Sequence, residues 1–420
     1  MNLALDAGQE AVRTLARRVA TETVAPAARA ADADRAFNRE VIRVLGREGI
    51  LGGPLPKEHG GGGWDDLSFA LCCEELGRVD ASVRGFVCVH SGLVAKTIAS
   101  RADDAQKARW LPRLASGAWI GAYALTEEGA GSDAAAIATT ARKEGDGWRL
   151  EGEKVWITNG GVADLLVVYA KSDPDAGHRG ITAFVLEPGT TEGLDREPMA
   201  GVELGHRGAD HARLRFRGVK VPAANVLGAP GEGFKIAMGA LDFGRLGVAA
   251  GAVGILASCL DEVVAFARGR KQFGKRLADF QMVQERVADM AVDLEAARLL
   301  VWRAAWTRMQ GRRATAEVAA AKLFATEAAQ RAASEAVLLL GSRGYSNENP
   351  VERHYRDIPG LRIYEGTNHI QRIVLARELL ASVTTLRGLP ESEPRDRARR
   401  NLGLDDHQVG NASVTEGGGK

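Results

Sequence analysis

The chain has 420 residues, more than a single hydrophobic core organises, so two or three packed sub-domains are expected. Its 55 Lys and Arg face 54 Asp and Glu, and a net charge of +1 supplies no field for holding nucleic acid or an anionic membrane. No uninterrupted apolar run approaches membrane-spanning length, and the N-terminus carries acids in an amphipathic pattern, so a soluble cytoplasmic protein is expected.

Residues 1 to about 118 read as helical. Val12, Leu15, Val19 and Val24 recur at helical spacing, a second segment runs from Val41 to Leu51, and longer ones follow from Leu67. Cys72, Cys73, Cys88 and the later Cys259 lie in apolar surroundings without metal-ligand spacing and read as reduced core residues. The break PLPKEHGGGGWDD, Pro54 to Asp66, has four consecutive glycines but no Lys-Ser/Thr after them and no strand before, so a flexible turn is expected, not a phosphate cradle.

From Trp119 to about residue 231 the period falls to two: Trp148/Leu150, Val155/Ile157, Leu165/Val167/Tyr169, Ile181/Ala183/Val185 and Leu214/Phe216, with turns at GDG, NGG and DPDAG. This predicts an antiparallel middle β-domain. From 232 to about 385 helical spacing returns, and Phe280, Val283, Val287, Met290, Leu294, Ala297 and Val301 predict a core seam between long antiparallel helices. Residues 386–420 lack periodicity and are predicted disordered. The fold class is α+β: helical domain 1–118, β-domain 119–231, C-terminal four-helix bundle 232–385.

Five motifs carry chemistry. YALTEEGAGSD, Tyr123 to Asp133, ends a strand at Thr126, and Gly129, Gly131 and Ser132 let a ligand approach the backbone. In KVWITNGG, Trp156 and Thr158 project from one face of a strand, an indole beside a hydroxyl, suited to packing on a heteroaromatic ring. LDFGRLGVAAGAVGIL places Arg245 at the head of a small-residue helix, and RGRKQFGKRL sets basic side chains beside Phe273, suited to a diphosphate and an adenine. Last comes LRIYEGTNHIQRIVLAR, Leu361 to Arg377. Here Glu365 sits in a joint before a helix that Thr367 or Asn368 caps, and contact with Tyr364 would strip water from it and raise its pKa toward that of a general base. His206 and His211, five apart in HRGADH, lack metal-binding spacing, and no metal is expected.

In this order the motifs resemble the acyl-CoA dehydrogenase family over roughly residues 5 to 382. The resemblance implies a non-covalent FAD where β-domain and bundle meet, with Tyr123, Thr126 and Gly131 on its pyrimidine side, Trp156 flanking the ring and Thr158 near N5. It implies that Arg270 and Phe273 reach the FAD of a neighbouring subunit in a homotetramer, and that Leu338, Gly341, Thr367 and His369 lie along the cofactor. Glu365 matches the base that takes the thioester α-proton while a hydride leaves Cβ for the flavin. Ser132, Arg245, Tyr364, Gly366, Arg84 and Arg377 fall on the substrate side. An acyl-CoA or acyl-carrier-protein thioester and an electron-transfer flavoprotein are the implied partners.

Some positions depart from the pattern. Leu338 stands where the family usually has Gln, Glu128 replaces a Pro, and Ala209 stands where Ser is common. A minority branch carries its base just before the Arg of LDxxR, but that residue is Gly244 here. Arg84 matches an Arg of the glutaryl-CoA branch, which points to a dicarboxylyl or carrier-bound thioester, whereas the partner acid of that branch is Gly77 here; an Arg reaching solvent is the plain alternative. A flavin oxidase and a non-catalytic DNA-binding flavoprotein are the rivals, the latter opposed by the acids interleaved with Arg395, Arg397, Arg399 and Arg400.

Overall fold

The computed structural model describes residues 4–381, so the stretch 386–420 and its arginines lie outside the described residues. Helices come first: α1 (Ala7–Val19), α2 (Ala25–Asp34), α3 (Arg39–Arg47), α4 (Asp66–Gly77), α5 (Ala81–Val87), α6 (Lys96–Arg101) and α7 (Asp104–Ala115). Widened π-helical turns join α1 to α2 through Ala20–Val24 and α5 to α6 through Cys88–Ala95. Asp6, Asp65, Asp80 and Asp103 each accept from a first-turn N–H, which sets where four of these helices begin. The side chain of Gln9 also donates to Asp65 Oδ2 at 2.9 Å, tying the first turn of α1 to that of α4.

The glycine-rich break is a closed turn and not a flexible one. Gly61, Gly62, Gly63 and Trp64 donate backbone N–H groups to the carbonyls of Pro56, Gly52, Leu55 and Gly53. A Cβ on Gly61 would lie 2.1 Å from the Leu55 carbonyl oxygen, so close backbone approach explains that glycine.

The strands β1 (Gly121–Ala124), β2 (Thr140–Glu144), β3 (Gly147–Thr158), β4 (Leu165–Lys171), β5 (Ile181–Leu186), β6 (Leu194–Pro198), β7 (His211–Pro222) and β8 (Val226–Leu227) form one sheet. Its order is β6-β7-β3-β2-β4-β5-β8, with β1 beside β4. The sheet is mixed, which corrects the antiparallel expectation: β1 runs parallel to β4 with Gly121 opposite Leu165, and β2 meets β4 in parallel at Thr140 and Lys171. Alternation reports which face is buried and carries no information on strand direction.

Helices resume with α8 (Gly233–Gly269), followed by the hairpin β9 (Lys271–Gln272) and β10 (Lys275–Arg276), then α9 (Gln281–Met309), α10 (Thr315–Leu340), α11 (Pro350–Ile363) and α12 (Asn368–Ala381). By length and composition α8 could cross a membrane, yet 67% of its apolar stretch is buried inside the protein, where α4, α9 and α10 pack on it. Arg245 is mid-helix in α8, not at its head, because the helix starts twelve residues earlier than the motif suggested.

Four glycines, Gly244, Gly247, Gly251 and Gly254, recur along one face of α8 at spacings of three and four. Each leaves room for a particular group. An added Cβ would fall 2.1 Å from Glu365 Oε2 at 244, 2.6 Å from Cys88 Sγ at 247, 2.7 Å from Arg84 Cδ at 251 and 2.0 Å from the Glu74 carbonyl oxygen at 254. The stripe lowers intrinsic helix propensity and admits α4, α5 and the Glu365 joint to the α8 backbone.

In α9 the stripe read as core divides. Met290, Ala297 and Val301 are buried, whereas Phe280, Val283, Val287 and Leu294 are half-buried. Periodicity located the face but not how far along it the neighbouring helices reach.

Gly254→Ala should force α4 from α8 and destabilise by about 1–3 kcal/mol, as overpacking does. Gly239→Ala, on the same helix with nothing within 4 Å of the added carbon, should be neutral or stabilising. Thermal melting of the two variants checks this, and equal melting would refute the role given to the stripe.

Candidate active site

The Glu365 joint is built by backbone geometry. Tyr364 is extended, Glu365 takes φ 55° and Gly366 φ 89°, which stops α11 and re-aims the chain before α12. A left-handed non-glycine residue costs about 1–3 kcal/mol and persists only where its surroundings determine it. Here both flanking carbonyls are held. Arg245 Nε donates to the Glu365 carbonyl at 2.8 Å, and the Gly366 carbonyl accepts from Lys322 Nζ at 3.0 Å and Gln371 Nε2 at 2.9 Å. Thr367 caps α12, its Oγ1 accepting from Ile370 N at 3.2 Å.

With those carbonyls turned into the bundle, the Glu365 side chain lines a cleft of about 460 Å³, the size of a small-molecule site. Its Oε2 is buried and has no hydrogen-bond partner among the described residues. Burial, with Cys88 beside it, pushes the carboxyl up to about 8, against the opposing pull of Arg84, Arg245 and Lys322. The clash that a Cβ on residue 244 would make with Oε2 has a second meaning: positions 244 and 365 address the same point of the cleft from opposite sides.

The sheet supplies the facing wall. Glu127 is buried and paired with the fully buried Lys154 at 2.6 Å, and it accepts from the backbone of Ala138 and Thr139. This pins the TEEGAGSD turn, while Val155 N donates to the Thr126 carbonyl at 2.9 Å and brings Thr126 beside β3. The β3–β7 register slips between Lys154 and Ile157, and Trp156 takes φ 57°, so a bulge aims the indole outward. Trp156 is 51% exposed, and its backbone N–H donates to Met199 Sδ at 3.4 Å. The hydroxyls of Thr126 and Thr158, both on the cleft wall, have no hydrogen-bond partner among the described residues.

Tyr123, Gly131, Ser132, Arg245, Tyr364 and Gly366 also line the cleft, and Arg377 stands at its mouth near the Arg313–Glu378 ion pair. Arg84 lines it too, but as a fully buried side chain, which removes the reading of an Arg reaching solvent. Its Nη2 donates to the Tyr364 hydroxyl, its Nη1 lies 3.7 Å from Cys88 Sγ, and no carboxylate among the described residues pairs with it.

Other proposed residues stand elsewhere. Arg270 and Gly341 line a separate groove, Phe273 at the hairpin tip is 93% exposed, and Leu338 is 71% exposed. His369 is exposed, and Thr367 faces its own helix. The sequence reading missed three residues. His206 and His211, weighed only as metal ligands, line the cleft; the His206 backbone N–H donates to Asp357 Oδ1 at 2.6 Å and its ring meets the Tyr364 edge. Lys322 was overlooked although a lysine between Val318, Ala325 and Ala329 on an apolar helix face was a visible signal.

Family models agree with this architecture in three consecutive blocks: acyl-CoA dehydrogenase N-terminal domain over residues 6–118, middle domain over 122–219 and C-terminal domain over 231–380. The human short-chain specific acyl-CoA dehydrogenase, mitochondrial, is 42% identical over 369 residues, 87% of this chain and 88% of that protein. Butyryl-CoA dehydrogenase from Megasphaera elsdenii superposes with a TM-score of 0.88 at 40% identity, covering 90% of this chain and 100% of that one. The glutaryl-coenzyme A dehydrogenase glutaryl-CoA complex gives 0.88 at 37%, covering 90% and 97%. With matched blocks that span its helices, sheet and bundle, the chain belongs to the acyl-CoA dehydrogenase family.

Proposed function

We propose that this chain is an FAD-dependent acyl-CoA dehydrogenase that converts a short, uncharged acyl thioester to the trans-2-enoyl thioester, with Glu365 taking the α-proton. The observation that carries the reading is the buried, unpartnered Glu365 carboxylate facing a wall of partnerless Thr126 and Thr158 hydroxyls and the Trp156 indole.

That wall fits FAD: two hydroxyls free to bond the edge of a heteroaromatic ring, and an outward indole to cover its face. Thr126, Trp156 and Thr158 would hold the ring, with Tyr123 and Gly131 beside them. When bound, FAD supplies a two-electron acceptor for the hydride that leaves Cβ. The protein does the proton chemistry. A thioester α-proton is weakly acidic, and a carboxylate whose pKa is lifted by burial is the stronger base for it. The Glu365 backbone N–H has no acceptor among the described residues and would be free to polarise the thioester carbonyl. Ser132, Arg245 and Arg377 would meet the pantetheine and nucleotide, nearer the mouth.

Arg84 decides the acyl end. Its Nη2 is held by the Tyr364 hydroxyl and its Nη1 by Cys88 Sγ, so a distal carboxylate would compete with these contacts for the guanidinium, whose Nε faces Gly251 without a partner among the described residues. Gly77, where a partner acid would be needed, is pressed on the Gly251 backbone. The second reading, a dicarboxylyl or carrier-bound thioester, is favoured by the polar wall of Ser82, Arg84 and His206.

The surface placing of Arg270, Phe273 and Gly341, away from the cleft, supports a homotetramer in which they complete the FAD site of a neighbouring copy. We assign the enzyme to the cytoplasm, with an electron-transfer flavoprotein as the acceptor of its two electrons.

Glu365→Gln should keep FAD and thioester binding while anaerobic bleaching of the flavin by butyryl-CoA falls by about 10²–10⁴-fold, the range for loss of a general base. Bleaching at the wild-type rate would remove Glu365 from the role. Because burial raises the carboxyl, its basic form grows as pH rises, so kcat/KM should climb from pH 6 and level above about 8. A flat profile over that range would contradict the assignment. Butyryl-CoA should bleach the flavin faster than glutaryl-CoA, and the reverse order would favour the second reading.

A further inference from the structure

The carbonyls of the Glu365 joint are held by Arg245, Lys322 and Gln371, whereas its entry from α11 hangs on Tyr364. The Tyr364 N–H still reaches back into α11, to the Gly360 carbonyl at 3.1 Å, and the chain is then extended. A left-handed residue follows at once, and such a turn keeps one course only where contacts beyond the backbone determine it. On the entry side those contacts are made by the Tyr364 side chain.

Two side chains from different elements grip that ring. From α5, the fully buried Arg84 donates Nη2 to the phenol oxygen, and its Cζ stands 5.7 Å from the ring centroid. From the loop between β6 and β7, the His206 ring meets the phenol edge to face, with centroids 5.6 Å apart and planes at 69°. His206 is itself fixed on α11: its backbone N–H donates to Asp357 Oδ1 at 2.6 Å, and its Nε2 lies 3.1 Å from the Asp357 carbonyl oxygen. Glycines make room for both jaws. An added Cβ would fall 2.7 Å from Arg84 Cδ and Nε at 251, 2.8 Å from His206 Cδ2 and Nε2 at 360, and 2.3 Å from the Arg356 carbonyl oxygen at 205. His206 also holds a left-handed φ of 54°, a backbone state that its surroundings must impose.

We infer that Arg84 and His206 clamp the Tyr364 ring and thereby position Glu365: the ring is fixed by the Arg84 hydrogen bond and the His206 edge, and the ring sets where the next residue enters the cleft. Both are positioning residues that act through Tyr364. The clamp joins α5, the β6–β7 loop and α11 at one side chain, immediately before the base. Its value lies in the tolerance of the chemistry, since a misplacement of about 1 Å can cost about 10²-fold in rate. An Arg84 that acted on the carboxylate by charge alone would have no use for the phenol hydroxyl, so the hydroxyl separates the two modes. The inference rests on Glu365 as the base.

The test is a double-mutant cycle on the FAD-loaded enzyme. Tyr364→Phe deletes the hydroxyl and keeps the ring, Arg84→Met deletes the guanidinium, the two are combined, and His206→Ala removes the edge contact. Melting curves confirm folding, and Tyr364→Phe, the smallest change, carries the test if Arg84→Met does not fold. Three quantities are read: the maximal rate of anaerobic bleaching by butyryl-CoA, the same rate with α-deuterated butyryl-CoA, and equilibrium binding of crotonyl-CoA from the perturbed flavin spectrum. Each single variant should bleach about 10–100-fold more slowly, with the double no slower than the slower of its two singles. The α-deuterium effect should rise, because proton removal is the step that suffers, while crotonyl-CoA binding stays within about twofold of wild type. Bleaching at the wild-type rate by Tyr364→Phe or His206→Ala, or losses that multiply in the double variant, would overturn the clamp while leaving Glu365 as base. So would a loss confined to crotonyl-CoA binding, which would place these residues on the substrate. Undiminished bleaching by Glu365→Gln would instead remove the base itself, and the inference with it.

Discussion

The structure depends on a carboxylate kept out of water without being neutralised by a close partner. Glu365 Oε2 is buried and unpaired, which by itself would leave the group protonated and inert as a base. Three cations, Arg84, Arg245 and Lys322, act on it, and the hydrogen bonds of all three go to other groups and not to its carboxylate. A direct ion pair would drop the pKa and spend the carboxylate on structure. Charges acting at a distance leave the oxygen free to take a proton while limiting the rise that burial imposes.

That arrangement needs backbones closer than ordinary helix packing allows. The α8 glycines provide the space, one for Glu365, one for Cys88, one for Arg84 and one for the α4 backbone. Catalytic placement and helix packing therefore share one stripe of a single helix. The same economy holds on the opposing wall, where the buried Glu127–Lys154 pair fixes the turn before Thr126 and the bulge after it aims Trp156.

Much of this was legible in the sequence. Period two against period 3.6 separated sheet from helices, and YEG before a capped helix marked the joint at Glu365. What stayed hidden depends on distant contact. The parallel β1–β4 pairing follows from connection path and not from side-chain alternation. Arg84 reads as an edge residue until Tyr364, 280 residues away, is seen to accept its hydrogen bond. Lys322 looks like one more lysine in an alanine-rich helix until the Gly366 carbonyl is placed over it. The glycines of α8 were visible as small residues, but which groups they admit could not be read without the fold.

The most direct test of the central claim is a crystal structure of the FAD-loaded protein with a bound 2-enoyl thioester. The account expects a Glu365 carboxylate oxygen about 3–3.5 Å from the thioester α-carbon, the distance of a near-attack arrangement, with the flavin on the far side of the Cα–Cβ bond against Trp156 and Thr158. A thioester bound with its α-carbon away from Glu365, or with both on the flavin side, would contradict it.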